Sequence, residues 1–242
     1  MSSRVDVVIC VPRFEEYFEL LEFVVDNIGK KAPIDEALGF DEADYVAVYG
    51  PKIRRSLESG FSYIAVEKST DKIVGCALGS VWHRNPRGRQ RRPSAIPSTP
   101  LGKLHYQIEC SLRSRFWDLC PKGVNKVAYG ECLLIGEDHH KERHFGERLM
   151  KILTDESFLE YAGVDGSCGM TTSLATQRNA EKFGAISLVE VDYGKFFKSN
   201  GILLDEALVD GTRKAILHFT PFDCDKDFSP EVEKLNFAIS KL

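Results

Sequence analysis

The run from Lys126 to Leu153, KVAYGECLLIGEDHHKERHFGERLMKIL, restricts the fold more than any other part of the chain. Val127 to Gly136 is mostly apolar, as expected of a buried strand. Phe145, Leu149, Ile152, Leu153 and Leu159 then recur at helical spacing as far as Ala162, and Ser167 to Leu174 reads as the next strand. A strand therefore feeds a loop, a helix and a second strand. At such a turn the free N–H groups and the positive dipole end of the helix converge, so a phosphate can sit there. Gly146 would let the backbone approach a pyrophosphate, and Lys141 and Arg143 add positive charge. The same residues are equally consistent with a strand and an amphipathic helix that bind nothing.

The remaining periodicities fill in a mixed sheet. Val5, Val7, Ile9 and Val11 alternate through an opening strand that Pro12 ends. Phe14, Phe18, Leu21, Val25 and Ile28 form one apolar stripe of a first helix, with Gly29 as its stop. APIDEALGF reads as irregular, and Asp41 to Ser59 as a helix capped by Gly60. FSYIAVEKSTDKIVGCALGSV has the pattern of an antiparallel hairpin. Residues 84–100 hold four prolines and five arginines and read as a surface loop. Leu104, Ile108, Leu112 and Phe116 mark a helix, and Gln177 to Gly184 a short one. VEVDYGKFF and KAILHFTPF read as closing strands. The expected fold is α/β: one domain over residues 1–242, a mixed central sheet of about seven strands, and helices on both faces.

Composition narrows the function classes. Hydrophobic residues make up 43% and charged residues 28% of the 242, the balance of a soluble globular chain. No segment is long and apolar enough to span a bilayer, and the N-terminal apolar run is too short for a signal peptide, so a cytoplasmic location is expected. Seven scattered cysteines without a C-x-x-C pair read as reduced thiols rather than a disulfide framework or zinc site. The formal charge of −4 gives no reason to expect nucleic acid or anionic membrane and suits a cationic substrate. Arg84, Arg87, Arg89, Arg91 and Arg92 lack the interleaved aromatics of a base-stacking surface and read as a solvated loop. Glu137, Asp138, His139 and His140 are adjacent and cannot easily converge on one ion, so no metal is expected.

Lys141-Glu142-Arg143-His144-Phe145-Gly146 resembles the R/Q-x-x-G-x-G/A loop of the GNAT acetyltransferases, with Lys141 replacing Arg or Gln and His144 replacing the first Gly. Three further segments are similar to the insect arylalkylamine N-acetyltransferases. Ile34-Asp35-Glu36-Ala37-Leu38 resembles their D-E-P-L segment, with Ala37 for the proline. The Val124-Asn125-Lys126-Val127 lead-in resembles their D-K-V region, and Glu181-Lys182-Phe183-Gly184-Ala185 resembles E-K-L-G-F. The element order matches along nearly the whole chain.

The resemblance implies acetyl-CoA as co-substrate, held where the fourth and fifth strands splay apart, and a small amine as acceptor. It places the pantetheine arm and thioester carbonyl on the backbone of Leu134, Ile135 and Gly136, and the pyrophosphate on Lys141, Glu142, Arg143, His144, Phe145, Gly146 and Glu147. It gives Glu36 the general-base role. An alkylammonium with a pKa near ~10 must lose a proton before it can attack a thioester. Without the resemblance Glu36 reads as a solvated loop acid. Thr172 and Thr176 correspond to two hydroxyl residues that relay protons or protonate the departing thiolate, with Ser173 as the alternative one position on; otherwise Thr172 is a strand residue and Thr176 a helix N-cap. The tyrosine acid of many GNATs is replaced by Ala180. Tyr45, Tyr49, Trp82 and Phe116 could line an aryl pocket, though such residues are more often core. The alternatives are a polyamine, amino-acid or protein N-acetyltransferase, or an acyl-CoA-binding protein that has lost turnover.

Overall fold

The computed structural model describes residues 6–85, 95–137, 145–153, 162–202 and 207–222. Seven strands form one sheet in the order β1-β2-β3-β4-β5-β7-β6: β1 (Val7–Cys10), β2 (Phe61–Glu67), β3 (Lys72–His83), β4 (Lys126–Ile135), β5 (Gly166–Thr171), β6 (Ile186–Asp192) and β7 (Lys214–Pro221). All neighbouring pairs are antiparallel except β4 and β5. The helices are α1 (Tyr17–Ile28), α2 (Pro33–Leu38), α3 (Glu42–Ser59), α4 (Pro100–Arg113), α5 (Phe116–Leu119), α6 (Phe145–Leu153), α7 (Leu174–Lys182) and α8 (Tyr193–Ser199). The expected mixed sheet is present, and α1, α3 and α4 cover one face while α6 covers the other.

Several local expectations change. APIDEALGF is not irregular: Pro33 starts α2, where its missing N–H costs nothing, and Gly39 at φ 72° closes it in the left-handed conformation. Gly29 does end α1, as expected, but without the left-handed conformation: the chain passes through it at φ −49° into a 3-10 turn, Gly29–Lys31. A Cβ there would lie 3.0 Å from the Tyr45 hydroxyl oxygen, so a side chain at this position requires the phenol to shift. The stripe read on α1 is rotated. Leu20, Phe23, Val24 and Ile28 are buried, whereas Phe14 and Phe18 face solvent. Phe116 does not continue α4; the chain turns at Ser114 and restarts as α5.

VEVDYGKFF divides in two. The strand ends at Asp192, whose carboxylate accepts from the Lys195 N–H at 2.8 Å and caps α8. Tyr193 and Phe197 then fall one helical turn apart and enter the core together. Arg84 is not solvated. Its guanidinium donates to the carbonyl oxygens of Trp117, Cys120, Pro121 and Val124 and closes the turn before β4. Arg87, Arg89, Arg91 and Arg92 lie outside the described residues. Among the described residues, Cys10, Cys76, Cys110, Cys120, Cys132 and Cys168 are not joined in disulfides.

Candidate active site

The sheet opens at its centre. β4 and β5 pair in parallel only at Ala128/Ser167, Tyr129/Cys168 and Gly130/Gly169. Beyond Gly130, β4 continues to Ile135 against β3 alone, so among the described residues its other edge has no strand partner. A β-bulge marks the parting: Leu78 opposes Cys132 while Gly79 opposes Gly130, which leaves Glu131 with no residue opposite it. Along the free edge, ladder alternation decides which amides are available. Gly136 donates to Val74 O at 2.9 Å and Leu134 opposes Cys76, so both turn their N–H groups towards β3. Leu133 and Ile135 therefore turn theirs to the opening. Of the three residues expected to offer backbone groups, only Ile135 faces it.

An acidic corner is fastened to the end of this edge. Lys31, after α1, donates to the carbonyl of Ile135, and the Asn27 side chain accepts from the Glu137 N–H at 3.1 Å. Partial burial lowers the Lys31 pKa against the opposing charge of Glu137. Directly after this staple, α2 carries Asp35 and Glu36. Asp35 is fully buried and accepts from the Tyr49 hydroxyl at 2.7 Å. Glu36 is exposed, so the buried acid of α2 is its neighbour Asp35. Phe40, Tyr45 and Tyr49 stand beside this helix, with the Tyr45 ring centroid 5.5 Å from that of Phe40 and 6.3 Å from that of Tyr49. Burial, then the charges of Asp35, Glu36 and Asp44, raise the Tyr45 phenol to about 12. Aromatic faces beside carboxylates suit an organic cation.

The hydroxyl residues lie where β5 leads into α7. Thr172 is half-buried, and its carbonyl accepts from the Tyr193 hydroxyl at 3.3 Å. Tyr193 is itself buried, and burial and the charges of Asp35 and Asp210 raise its phenol well above the usual value. Because α7 begins at Leu174 rather than Gln177, its N-cap is Ser173 and not Thr176. The Ser173 Oγ accepts from the Thr176 N–H at 3.3 Å, and the two hydroxyl oxygens are 2.9 Å apart. The exposed Thr176 thus spends its hydroxyl within the cap. Asp210 adds a second capping acceptor, taking the Leu174 N–H at 2.8 Å. Burial alone would raise Asp210, but hydrogen bonds from Thr212 and Leu174 hold it below the usual carboxylate range.

Lys141, Glu142, Arg143 and His144 lie outside the described residues, as do Asp138, His139 and His140 of the rejected metal cluster. The helix after them is firmly seated: Phe145 and Leu149 are buried against Ile135, Ala65, Val74 and Ala77. Gly75 makes this approach feasible, since a Cβ there would be 3.1 Å from Leu149 and 3.2 Å from Phe145. The start of α6, with Phe145, Gly146 and Glu147, is thereby held beside the end of β4. A Cβ on Gly146 would meet nothing among the described residues closer than Ile135 at 3.9 Å, so no packing among them requires glycine at that position.

The four aromatics expected to line one pocket do not converge. Tyr45 and Tyr49 border Asp35, whereas Trp82 stacks on Tyr129 at 3.8 Å and packs edge-on to Phe116 near the opposite end of β4. Sequence reasoning missed a layer of buried charge on the α3/α4 side of the sheet. Glu131, whose side chain is 1% exposed, accepts from Arg55 at 2.6 and 2.7 Å and from the Ser80 hydroxyl at 2.6 Å. Lys52 pairs with Glu109, and Arg113 lies 3.8 Å from the same carboxylate. These cations hold Glu109 down at about 2 although burial alone would raise it. The one available signal was an acid inside the apolar run YGECLLI; its partners come from elements that no spacing connects.

No family model matches the chain, and no curated protein matches its sequence. Solved structures do. Arylalkylamine N-acetyltransferase 2 of Aedes aegypti superposes with a TM-score of 0.64 at 14% identity, covering 90% of this chain and all of that one. The fold is the GNAT fold. A putative arylalkylamine N-acetyltransferase 7 of the same mosquito gives a TM-score of 0.68 at 14% identity over 90% and 88% of the chains. The C-terminal condensation domain of Ebony, solved with β-alanyl-dopamine, gives 0.65 at 17% identity over 90% and 100%.

Proposed function

We propose that this GNAT-fold chain is an acetyl-CoA-dependent N-acetyltransferase whose acceptor is a small arylalkylamine. One observation carries the reading: the acidic, aromatic corner of α2 is tied by Lys31 to the carbonyl of Ile135, at the open edge of β4. An ammonium held there stands beside the strand edge assigned to the thioester. Ile135 and Leu133 offer N–H groups towards the opening, where they can stabilise the oxyanion of a tetrahedral intermediate. Lys141 to Glu147, with the N-terminus of α6 and the side-chain-free Gly146, would hold the pyrophosphate. Glu36, exposed next to the aromatic faces, takes the proton from the ammonium. The neutral amine attacks the acetyl carbonyl, the N–C bond forms, the C–S bond breaks, and CoA leaves as the thiol. Thr172, at the end of β5, would give a proton to the leaving sulfur, while Thr176 supports the cap.

The experiment is steady-state release of CoA thiol from acetyl-CoA with tyramine, dopamine, serotonin, spermidine and a lysine peptide, beside Glu36→Gln. Turnover of an arylalkylamine that falls about 10²-fold or more in the variant, with CoA binding unchanged, supports the reading. Turnover of spermidine or the peptide in preference moves the acceptor to another class. CoA binding without any turnover sinks the enzymatic reading.

A further inference from the structure

The backbone of β4 changes phase along its length. At its start, the Asn125 carbonyl accepts from the Arg84 N–H at 2.8 Å on the β3 side, and the Lys126 carbonyl accepts from the Asp165 N–H at 2.7 Å on the β5 side. Odd-numbered residues therefore face β3 there and even-numbered ones face β5. At its end the order is reversed: Gly136 donates to Val74 O on the β3 side, and the Ile135 carbonyl accepts from Lys31 at the open edge. A strand of strict period two cannot do both, and the extra residue at the bulge, Glu131, supplies the shift. In an unbulged β4 the Leu133 and Ile135 amides would be spent on β3, and the Ile135 carbonyl would turn away from Lys31.

We propose that Arg55 is a positioning residue for acetyl transfer: through Glu131 it holds the β4 bulge in place, and with it the outward phase of the Leu133 and Ile135 amides. Its catalytic consequence rests on the acetyl-transfer reading, in which those amides meet the oxyanion. Neither Arg55 nor Glu131 needs to touch the substrate for this, and Glu131, at 1% side-chain exposure, is too enclosed to do so.

The carboxylate marks the place of the bulge. Arg55 donates from Nε to Glu131 Oε1 at 2.6 Å and from Nη2 to Oε2 at 2.7 Å, and the Ser80 hydroxyl donates to Oε1 at 2.6 Å. A planar fork on both oxygens fixes direction as well as distance. Moving the bulge by one residue either way would put Glu131 opposite Leu78 or Gly79 of β3 and pull the carboxylate out of the fork. A buried charge with a broken partner is costly, so the bulge stays where the fork fits. Nor can β3 slide to compensate. A Cβ in the place of Gly79 would lie 2.7 Å from the Phe61 carbonyl oxygen of β2, so glycine must remain there. Helix α3, which carries Arg55, thus decides which amides the open edge presents.

The test compares wild type, Arg55→Lys, Arg55→Met and the triple replacement Arg55→Met/Glu131→Leu/Ser80→Ala. The readouts are steady-state release of CoA thiol, urea unfolding, and amide hydrogen exchange of the full chain resolved by residue. In wild type the Cys132 and Leu134 amides should be protected, while those of Leu133 and Ile135 exchange fast. Arg55→Met strands a buried carboxylate and should lower both the unfolding midpoint and kcat. The triple replacement leaves no charge to pair, so the midpoint should recover. Its kcat should stay about 10²-fold down, the loss typical of a misplaced oxyanion donor, with the contrast in exchange gone. Arg55→Lys keeps the charge without the fork and should show a smaller loss of both kcat and contrast. Recovery of kcat together with the midpoint, or a wild-type exchange pattern in the triple replacement, overturns the proposal and leaves the transferase reading intact. If the triple replacement does not fold, Arg55→Lys decides, and wild-type kcat and exchange in that variant overturn the proposal. If wild type turns over no amine, the transferase reading falls, and the exchange pattern alone decides whether Arg55 sets the phase of β4.

Discussion

The two faces of the central sheet are built on opposite principles. On the α6 side, Ile135, Phe145, Leu149, Ala65, Val74 and Ala77 make an apolar contact with no buried charge among the described residues. On the α3/α4 side, Asp35, Lys52, His105, Glu109 and Glu131 are all withdrawn from solvent within one layer. Apolar packing gains free energy from burial itself, whereas buried ions recover their desolvation only through correctly placed partners. The first face is an apolar seat for the start of α6. The second is a site where protons and cations can be handled at low dielectric.

The contrast between the faces is exposed to its hardest test on the charged one. Replacing Lys52 with Met leaves Glu109 buried with only Arg113 at 3.8 Å, and should cost about 3–5 kcal/mol in urea unfolding; a loss below about 1 kcal/mol would mean that the layer is solvated. Leu149→Ala on the apolar face should cost about 2–5 kcal/mol through a cavity under α6, with no change in the pH dependence of stability. That pH dependence is a third discriminator. Glu109 titrates near 4.5 unfolded and about 2 folded, so its contribution is present above 4.5 and is lost as pH falls towards 2. Denaturation midpoints measured between pH 5 and 2.5 should therefore drop in wild type and drop less in Lys52→Met. The smallest effect belongs to neither face: Ser173→Ala removes the cap of α7 and should cost about 1 kcal/mol, with Asp210 still holding the Leu174 N–H. A loss several times larger would show that the Ser173–Thr176 pair does more than cap.

Legibility followed the range of the interactions. Asp41 and Gly60 were visible as the ends of α3 because a cap is a contact between near neighbours. The hairpin of β2 and β3 and the strand β4 were visible because period and turn residues are local. The α1 stripe was misread because Phe14 and Phe18 match the helical period as well as the buried set does; only the position of α3 and the sheet decides which stripe faces inward. At the site, the α2 acids and the β5–α7 hydroxyls could be named, but not which member of each pair is buried. Asp35 rather than Glu36, and Ser173 rather than Thr176 as the cap, depend on one residue of helical phase.

The order of residues was enough to specify the α/β class, the succession of strands and helices, and the acids, hydroxyls and glycine that a GNAT-like site would use, because each is written in adjacent positions. The parting of β4 from β5, the staple from Lys31 to Ile135, and the joining of Asp35, His105, Lys52 and Glu109 into one buried layer exist only in the folded chain. Those features arise between segments brought together by burying apolar surface. That force is set by area and carries no sequence address.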